Sequence, residues 1–319
     1  MKLTKTLFER TEFTVLLFIF LIGLFLSLVT NTFLTFNNIM NILLDISGIA
    51  IASIGVTMVI ITGGIDVSTG AVLGVTAFFV GKLVETGANP GITVVVALVV
   101  GALLGSINGV LVSYGNIPPI ITTLGTMNIY RAATFTLLQG KWINLLQAPQ
   151  TITPIGLGRV SGIPVPFLLA LGLIAIASYF LYKRATGRYI YAIGGGLEAA
   201  RLAGININTV RVFIYGLTGV AVAMSSVIYV ARTKIVQANT GSGFEMDVIA
   251  ATVLGGTSIL GGKGSVIGSL LGALLVGIIK NGLTLLSRHI SGFMEGMVVG
   301  TLIIVMVLID IYRKKRTVH

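Results

Sequence analysis

Residues 257–264, TSILGGKG, come nearest in this sequence to a phosphate-binding loop. The loop of nucleotide-binding proteins has the pattern G-x-x-x-x-G-K-[ST], in which backbone amides surround the phosphates. Here Thr257 stands in place of the first glycine, and Gly264 stands in place of the hydroxyl residue that binds magnesium. The segment also lies between two apolar runs. We therefore predict a glycine-rich turn between helices and no nucleotide site.

No other motif in the sequence indicates catalysis. Paired carboxylates, zinc-ligand spacing and a serine nucleophile elbow do not stand out, the chain has no cysteine, and it has 2 histidines. Missing motifs alone leave an intramembrane enzyme open. We nevertheless predict no catalytic residue, no metal and no cofactor in this chain.

Polar side chains in or near the apolar runs are the remaining candidates for chemistry. Charge is costly there unless it faces a cavity, finds a partner or extends to the membrane interface. The candidates for a polar lumen or outer vestibule are Asn108, Asn128, Arg131, Lys280, Asn281 and Glu295. Extension to the interface is an equal alternative for the basic residues.

The acidic residues lie near the ends of the apolar runs, which disfavours coupling to protons or sodium ions within this chain. Asp66, in TGGIDVSTG, follows two glycines. Three roles are open for it: capping the next helix, contacting a partner, or lining a conduction path.

Composition sets the class of protein that positions these residues. The chain has 319 residues, of which 55% are hydrophobic and 10% are charged, and its mean hydropathy is +1.01. Soluble domains carry about 25% charged residues. We predict an all-α polytopic membrane protein with one transmembrane domain, residues 1–319, and a retained first span. The apolar runs predict about ten spans, some short or broken, at 13–29, 46–62, 70–84, 92–112, 120–138, 165–182, 210–230, 248–260, 266–286 and 293–311.

The distribution of positive charge predicts the orientation. The net charge is +11, from 21 basic and 10 acidic residues. With ten spans and a cytoplasmic N-terminus, most of the basic residues fall in inside loops and the C-terminal tail. The positive-inside rule therefore predicts that both termini are cytoplasmic. The longest cytoplasmic loop is then at about residues 183–209.

That loop contains GRYIYAIGGGLEAARLAGI, residues 187–205. Three glycines at 194–196 should end any preceding element. The LEAARLA that follows is a strong helix former closed by Gly204. Glu198 and Arg201 are spaced to pair at i, i+3. We predict a short helix parallel to the membrane, which on these facts alone is also typical of an ordinary amphipathic loop.

The loop resembles the EAA loop of ABC importer permeases, in which a coupling helix docks on the ATPase subunit. The matching pattern is Glu198, Ala199 and Ala200, then Gly204 after three residues and Ile214 after nine more. NNIMNILLDIS, ITGGIDVSTGAVLG and the stretch ANTGSGFEMDVIAATVLGGTSILGGKGSVIGSLLGALL are similar to the ribose-type sugar permeases. That family also contains xylose, arabinose, galactose, rhamnose and autoinducer-2 permeases.

The resemblance implies a bacterial inner-membrane permease subunit that imports a simple sugar, with ribose as the first expectation. Its implied partners are separate ABC ATPase subunits, an extracytoplasmic sugar-binding protein, a second permease copy or paralogue, and membrane lipid, but no nucleic acid. Three sets of site residues follow as expectations. The ATPase-docking residues are Arg188, Glu198, Ala199, Ala200, Arg201 and Gly204; the substrate-path residues are Asn108, Asn128 and Asn281; the binding-protein contacts are Arg232, Lys234, Glu245 and Asp247.

Two alternatives stay open at this point. The same machine could carry autoinducer-2 or another cargo, because the resemblance specifies the machine more closely than the cargo. The chain could also be a stand-alone secondary carrier or a passive channel, which would transport without an ATPase.

Overall fold

The computed structural model describes residues 11–286, 296–305 and 308, and this part of the chain is mostly helical. Its helices are α1 Thr11–Val29, α2 Phe36–Ile61, α3 Thr69–Glu85, α4 Pro90–Ser113, α5 Pro119–Leu138, α6 Thr153–Leu157, α7 Val165–Lys183, α8 Ala185–Gly195, α9 Leu197–Leu202, α10 Ile207–Thr233, α11 Phe244–Leu254, α12 Val266–Leu286 and α13 Gly296–Val305. Two short antiparallel pairs are formed by β1 Ile143–Asn144 with β4 Ile235–Val236, and by β2 Arg159–Val160 with β3 Ile163–Pro164.

Local sequence signals set where several helices begin. The side chain of Thr35 accepts a hydrogen bond from the amide of Asn38 at the start of α2, and Asn206 accepts one from Thr209 at the start of α10. Such N-caps satisfy amides that have no partner within the helix. Prolines occupy the first turns of α4, α5 and α7, where their missing N–H costs nothing.

Among the described residues, 6 helices are long and apolar enough to cross a membrane: α1 from Glu12 onward, α2, α4, α7, α10 and α12. The protein is therefore an all-α polytopic membrane protein, as predicted. Helix α3 has 17 residues and α5 has 20, with an arginine and several threonines. The predicted last span, 293–311, lies partly outside the described residues. The count of ten spans and the orientation of the termini stay predictions.

The predicted span at residues 248–260 differs from the structure. Helix α11 has 11 residues and ends at Leu254. At 1.5 Å per residue it covers about 16 Å, roughly half of a hydrocarbon core of about 30 Å. Gly255 and Gly256 end it, and the chain turns into α12 through residues with left-handed φ values at Gly256, Gly261 and Gly262. The glycine-rich turn predicted at residues 257–264 is confirmed.

Helix α2 is the centre of the bundle. In its apolar window 83% of the residues are buried, against 11% in α1. It runs antiparallel to α10, because Ser225 Oγ donates to the carbonyl of Gly48 at 2.8 Å and Thr218 packs on Gly55 further along. Burial of this kind is typical of a helix that is apolar on most sides, as α2 is after Asp45.

The bundle has two ends, which we name for the elements they contain. The α9 face is formed by residues 61–64, 185–206 and 261–264, which are held together by the amide of Gly262 donating to the carbonyl of Ile61 at 2.8 Å. The β face is formed by β1, β4 and residues 139–164.

Two halves of the chain repeat the same order of elements in opposite directions. The first is α2, a non-helical break at residues 62–68, α3 and α4. The second is α10, a break at residues 237–243, α11 and α12. Inverted repeats with broken helices are common in membrane transporters. The two breaks lie close together, because Gly70, in the first turn of α3, contacts the carbonyl oxygen of Gly241.

Small residues allow the helices to approach closely, both between the two halves and within the second half. Gly101 and Gly105 of α4 lie against the backbone of Gly219 and Tyr215 in α10, and a Cβ on Gly219 would overlap the carbonyl of Gly101. Gly268 and Gly272 of α12 pack in the same way on α11. Such close packing is expected where packing drives helix association in lipid.

Candidate functional site

The α9 face carries the short surface helix that the sequence predicts. Helix α8 ends at Gly195, and α9 follows after the extended residue Gly196. The side chains of Glu198 and Arg201 form a pair at 3.4 Å and are 79% and 67% exposed. Gly204 has a φ of +77°, which lets the chain turn into α10. The short helix, its i, i+3 pair and the closing glycine are confirmed as structure.

The predicted docking residues divide into exposed and buried positions. Ala200 is buried at 2% exposure and anchors α9 on the bundle. Ala199, Glu198 and Arg201 face outward. Arg188 is exposed one helix earlier, and its guanidinium donates to the carbonyl of Lys183 at 3.5 Å. The outward-facing set forms a small charged surface, and contact with an ATPase stays a prediction.

Helix α8 connects this surface to the central helix. Gly194 lies so close to the last residue of α2 that a Cβ on it would overlap the carbonyl oxygen of Ile61. The hydroxyl of Tyr191 donates to the carbonyl of Gly264 at 2.8 Å. Burial, with a smaller contribution from the nearby Tyr182, raises the pKa of Tyr191 to about 12, so it remains a neutral donor at physiological pH. The α9 surface is thus joined to both α2 and the α11–α12 turn.

A buried polar network fills the break after α2. Asp66 is 2% exposed, and its carboxylate accepts hydrogen bonds from the amide and the hydroxyl of Ser68 at 2.9 and 2.7 Å. Asn108 Nδ2 donates to Ser68 Oγ at 2.8 Å, and the hydroxyl of Tyr130 donates to Asn108 Oδ1 at 3.4 Å. Asp66 therefore closes the turn just before α3. It is not presented to a partner at the surface in this conformation.

The network supports a stability prediction. Asn108→Leu removes the donor to Ser68 and an acceptor of Tyr130, leaving buried hydroxyls with fewer partners. We expect a loss of about 1–3 kcal/mol in unfolding free energy, because two hydrogen bonds are lost and each contributes about 0.5–1.5 kcal/mol, while Ser68 keeps its bond to Asp66 and Tyr130 its bond to Leu104. Thermal unfolding of the solubilised permease should show a lower Tm. In the control Asn128→Leu, only a hydrogen bond from an exposed amide to Leu124 of the same helix is lost. Equal Tm values for the two variants would contradict the network's role.

The three asparagines predicted for a substrate path are not brought together. Asn108 is fully buried in the network, and Asn128 is exposed on α5. Asn281 forms a reciprocal amide pair with Asn38 at 3.0 and 2.9 Å, joining α12 to the start of α2. The asparagine path stays a prediction.

Two basic residues of the predicted spans bind groups at or near the second break. Arg131 Nη1 donates to the carbonyl of Thr240 at 2.6 Å, and Lys280 Nζ binds Asp247 Oδ2 at 2.6 Å. These residues could face a cavity, find a partner or extend to the membrane interface. The structure shows that both have partners within the bundle. The side chains of Lys280 and Asp247 are 28% and 18% exposed, so the pair is largely withdrawn from solvent.

The predicted binding-protein contacts occupy two environments. Arg232 is ion-paired with Asp45, and Lys234 Nζ donates to Gln150 Oε1 at 2.6 Å; both lie on the β face. Glu245 lies deeper, with its Oε2 buried beside Gly70 and without a hydrogen-bond partner in the described part of the chain. Asp247 is the acid paired with Lys280. Contact with a binding protein stays a prediction for all four.

The second break also opens a cavity that sequence reasoning did not predict. It has a volume of about 340 Å³. Its lining combines amides, a hydroxyl, a carboxylate and aromatic rings: Leu73, Tyr229, Gln237, Asn239, Gly241, Ser242, Phe244 and Asp247. Within the described residues, no group of three or more metal-ligating side chains occurs.

A repeat within the sequence could have pointed to this region. GIDVSTGAVLG at residues 64–74 and EMDVIAATVLG at 245–255 share the pairs Asp66 with Asp247 and Val67 with Val248, and both end in Val-Leu-Gly. The first copy begins within the first break, and the second copy begins just after the second break. The repeat marks the two breaks as equivalent places in the inverted halves, which is where transporters place their substrate sites.

A multi-pass bundle with a polar cavity toward one end and an exposed loop helix at the other defines a membrane permease. The chain belongs to the family described as "Branched-chain amino acid transport system / permease component", whose model matches residues 38–307. It is a multi-pass protein of the bacterial inner membrane. The resemblance to the ribose-type permeases is confirmed.

Several curated relatives match over most of their length. The ribose import permease protein RbsC of Escherichia coli strain K12 is 38% identical over 287 residues, 89% of this chain and 88% of the relative. RbsC of Bacillus subtilis strain 168 is 38% identical over 297 residues, covering 93% and 91%. The autoinducer 2 import system permease protein LsrC of Photorhabdus luminescens is 32% identical over 308 residues, covering 96% and 91%. No solved structure matches the chain.

Proposed function

We propose that this chain is the membrane-spanning permease subunit of an ATP-driven ABC importer for a simple sugar, with a ribose-like pentose as cargo. The observation that carries the proposal is the match to the ribose import permeases, which are 37–38% identical to this chain and are covered over 88–94% of their length. ATP is hydrolysed by separate ATPase subunits, and an extracytoplasmic binding protein delivers the sugar.

The proposal gives each face of the bundle a partner. The exposed surface of α9 docks on the ATPase and lies in the cytoplasm, with both termini on that side of a single domain of ten spans. The β face then receives the binding protein. Closure of the ATPase pair moves α9, and Gly194 and Tyr191 transmit the movement to α2 and to the α11–α12 turn. Such coupling requires that the ATPase binds two states of the permease with different affinity. A second permease copy or a paralogue completes the assembly.

Reconstitution tests this function directly. Liposomes containing the permease with its ATPase should take up D-ribose only when ATP and the ribose-loaded binding protein are present, and the loaded binding protein should stimulate ATP hydrolysis. The permease alone should take up none. Uptake by the permease alone in ATP-free vesicles would contradict the proposal and favour a secondary carrier or channel. Hydrolysis that no sugar stimulates would contradict the sugar cargo.

Autoinducer 2 is the second candidate cargo, because the LsrC relatives are 32–41% identical to this chain. Stimulation of ATP hydrolysis by a binding protein loaded with autoinducer 2, and not by the same protein loaded with D-ribose, would favour it.

A further inference from the structure

The cavity at the second break contains polar groups that the protein itself does not use. In the described part of the chain, the side chains of Gln237, Asn239 and Ser242 line the cavity and form no hydrogen bond to other residues. Each amide offers two donors and an acceptor, and the hydroxyl offers both. These groups are therefore available to a ligand rich in hydroxyls.

The charge of the cavity is balanced. Asp247 contributes a carboxylate, and Lys280 neutralises it through Oδ2 at 2.6 Å. Oδ1 of the same carboxylate accepts no hydrogen bond from the described residues. A free cation would compete with the ammonium of Lys280, and an anion would meet the carboxylate. The site thus favours a neutral polar molecule, whose hydroxyl can donate to Oδ1.

The rest of the lining is apolar and aromatic. Leu73, Tyr229 and Phe244 contribute side chains that match the C–H surface of a sugar ring. A mostly apolar wall with a few placed polar groups is the usual composition of a small-molecule site. The volume of about 340 Å³ lies at the lower end of the range of about 300–1,000 Å³ for such sites. It therefore suits one monosaccharide.

The position of the cavity fits entry from the β face. Tyr229 lies four residues before the end of α10, and Gln237 directly follows β4. Further along the same break, the backbone of Gly241 lies against Gly70, where the first repeat's break meets the second. A solute arriving at the β face therefore reaches the cavity before it reaches the closed contact between the breaks.

We propose that this cavity, lined by Tyr229, Gln237, Asn239, Ser242, Phe244 and Asp247, is a subsite that receives one neutral monosaccharide. The inference rests on the proposed function and locates the substrate within the permease. The unpaired amides and Oδ1 of Asp247 bind the sugar hydroxyls, and Phe244 packs on the ring.

Thiol labelling tests occupancy, because the chain has no cysteine of its own. Ser242→Cys places one thiol on the cavity wall, and Ser161→Cys places one on the exposed β2–β3 turn of the same face. The assay uses the reconstituted permease–ATPase complex and a membrane-impermeant maleimide. D-ribose at twice its dissociation constant or above should slow labelling of Ser242→Cys at least about threefold. Ser161→Cys should be unaffected, and sucrose at the same concentration should protect neither.

A matched pair of glutamine variants tests the polar wall. In the Ser242→Cys background, we measure the D-ribose concentration that halves the labelling rate. Gln237→Leu should raise this concentration about fivefold, which is the effect of losing about one net hydrogen bond. Gln147→Leu, an exposed glutamine on the β face that does not line the cavity, should leave that concentration unchanged. Equal behaviour of the two variants, or labelling that D-ribose does not slow, would overturn the subsite.

The same preparation separates this inference from the proposed function. ATP-driven D-ribose uptake without protection of Ser242→Cys would overturn the subsite alone. Protection of Ser242→Cys without any ATP-driven uptake would support the subsite and contradict the importer.

Discussion

Gly194→Ala should reduce ATP-driven sugar import at least about tenfold while leaving the amount of permease in the membrane unchanged. Its added Cβ would overlap the carbonyl oxygen of Ile61 and crowd the amide of Gly262, which donates to that same oxygen at 2.8 Å. Relieving an overlap with backbone usually costs about 1–3 kcal/mol, and about 1.4 kcal/mol corresponds to a tenfold change. The strain falls on the contact that joins α8 to the end of α2. Import should therefore fail because movement of α9 no longer reaches the central helix.

The adjacent residue supplies a matched control. A Cβ on Gly195 meets no atom within 4 Å, although Gly195 lies in the same last turn of α8. Gly195→Ala changes the helix propensity by the same exchange of glycine for alanine, but it adds no contact. The measurement is the number of sugar molecules imported per ATP hydrolysed in proteoliposomes. Equal ratios for Gly194→Ala and Gly195→Ala would contradict the coupling role of Gly194.

The sequence predicted the loop helix well because its signals are local. Three consecutive glycines end α8, a run of strong helix formers makes α9, and Gly204 provides the left-handed residue after it. None of these features depends on a distant partner. The contact of Gly194 with Ile61 depends on residues far apart in the chain, so the sequence alone did not reveal it.

Hydropathy was less informative about where helices begin and end. The predicted span at 46–62 begins ten residues later than α2, because the first turns of α2 contain Asn38 and Asp45. Their cost is offset by partners that are distant in sequence, Asn281 and Arg232. The run at 248–260 is mostly apolar, yet α11 ends at Leu254, because Gly255 packs against Gly268 of α12 and Gly256 has a left-handed φ. Average hydropathy counts apolar residues but does not detect a change of chain direction.

Residue types alone did not predict the cavity, although the internal repeat is visible in the sequence. Asp66 and Asp247 occupy equivalent positions of the repeat, but their surroundings differ. Asp66 is buried and hydrogen-bonded to Ser68. One carboxylate oxygen of Asp247 binds Lys280, and the residue lines the cavity. Lys280 belongs to α12, which the repeat aligns with α4 in the other half. Only the packing of the second half shows which of the two acids is available to a ligand.

Glu198→Lys should uncouple the ATPase and lower ATP-driven import at least about tenfold. The side chain is 79% exposed, and its pair with Arg201 is long and solvated at 3.4 Å. Exposed pairs of this kind contribute about 0.2–1 kcal/mol, so the fold should tolerate the change. At a docked interface, by contrast, truncating one partner of a buried charge pair costs about 2–5 kcal/mol. Reversing the charge at Glu198 should therefore act on the complex and not on the permease itself.

Helix α3 offers a control of the same chemistry on the opposite face. Lys82 and Glu85 form an exposed i, i+3 pair at 2.8 Å, with side chains 52% and 46% exposed. Glu85→Lys reverses one charge of that pair far from α9. Copurification of the ATPase and ATP-driven uptake should both fall for Glu198→Lys, whereas copurification of the ATPase should stay near wild type for Glu85→Lys. Normal ATPase retention and uptake by Glu198→Lys would refute docking through α9. Equal loss in both variants would instead indicate a general effect of surface charge, because only one of the two glutamates lies on the α9 face.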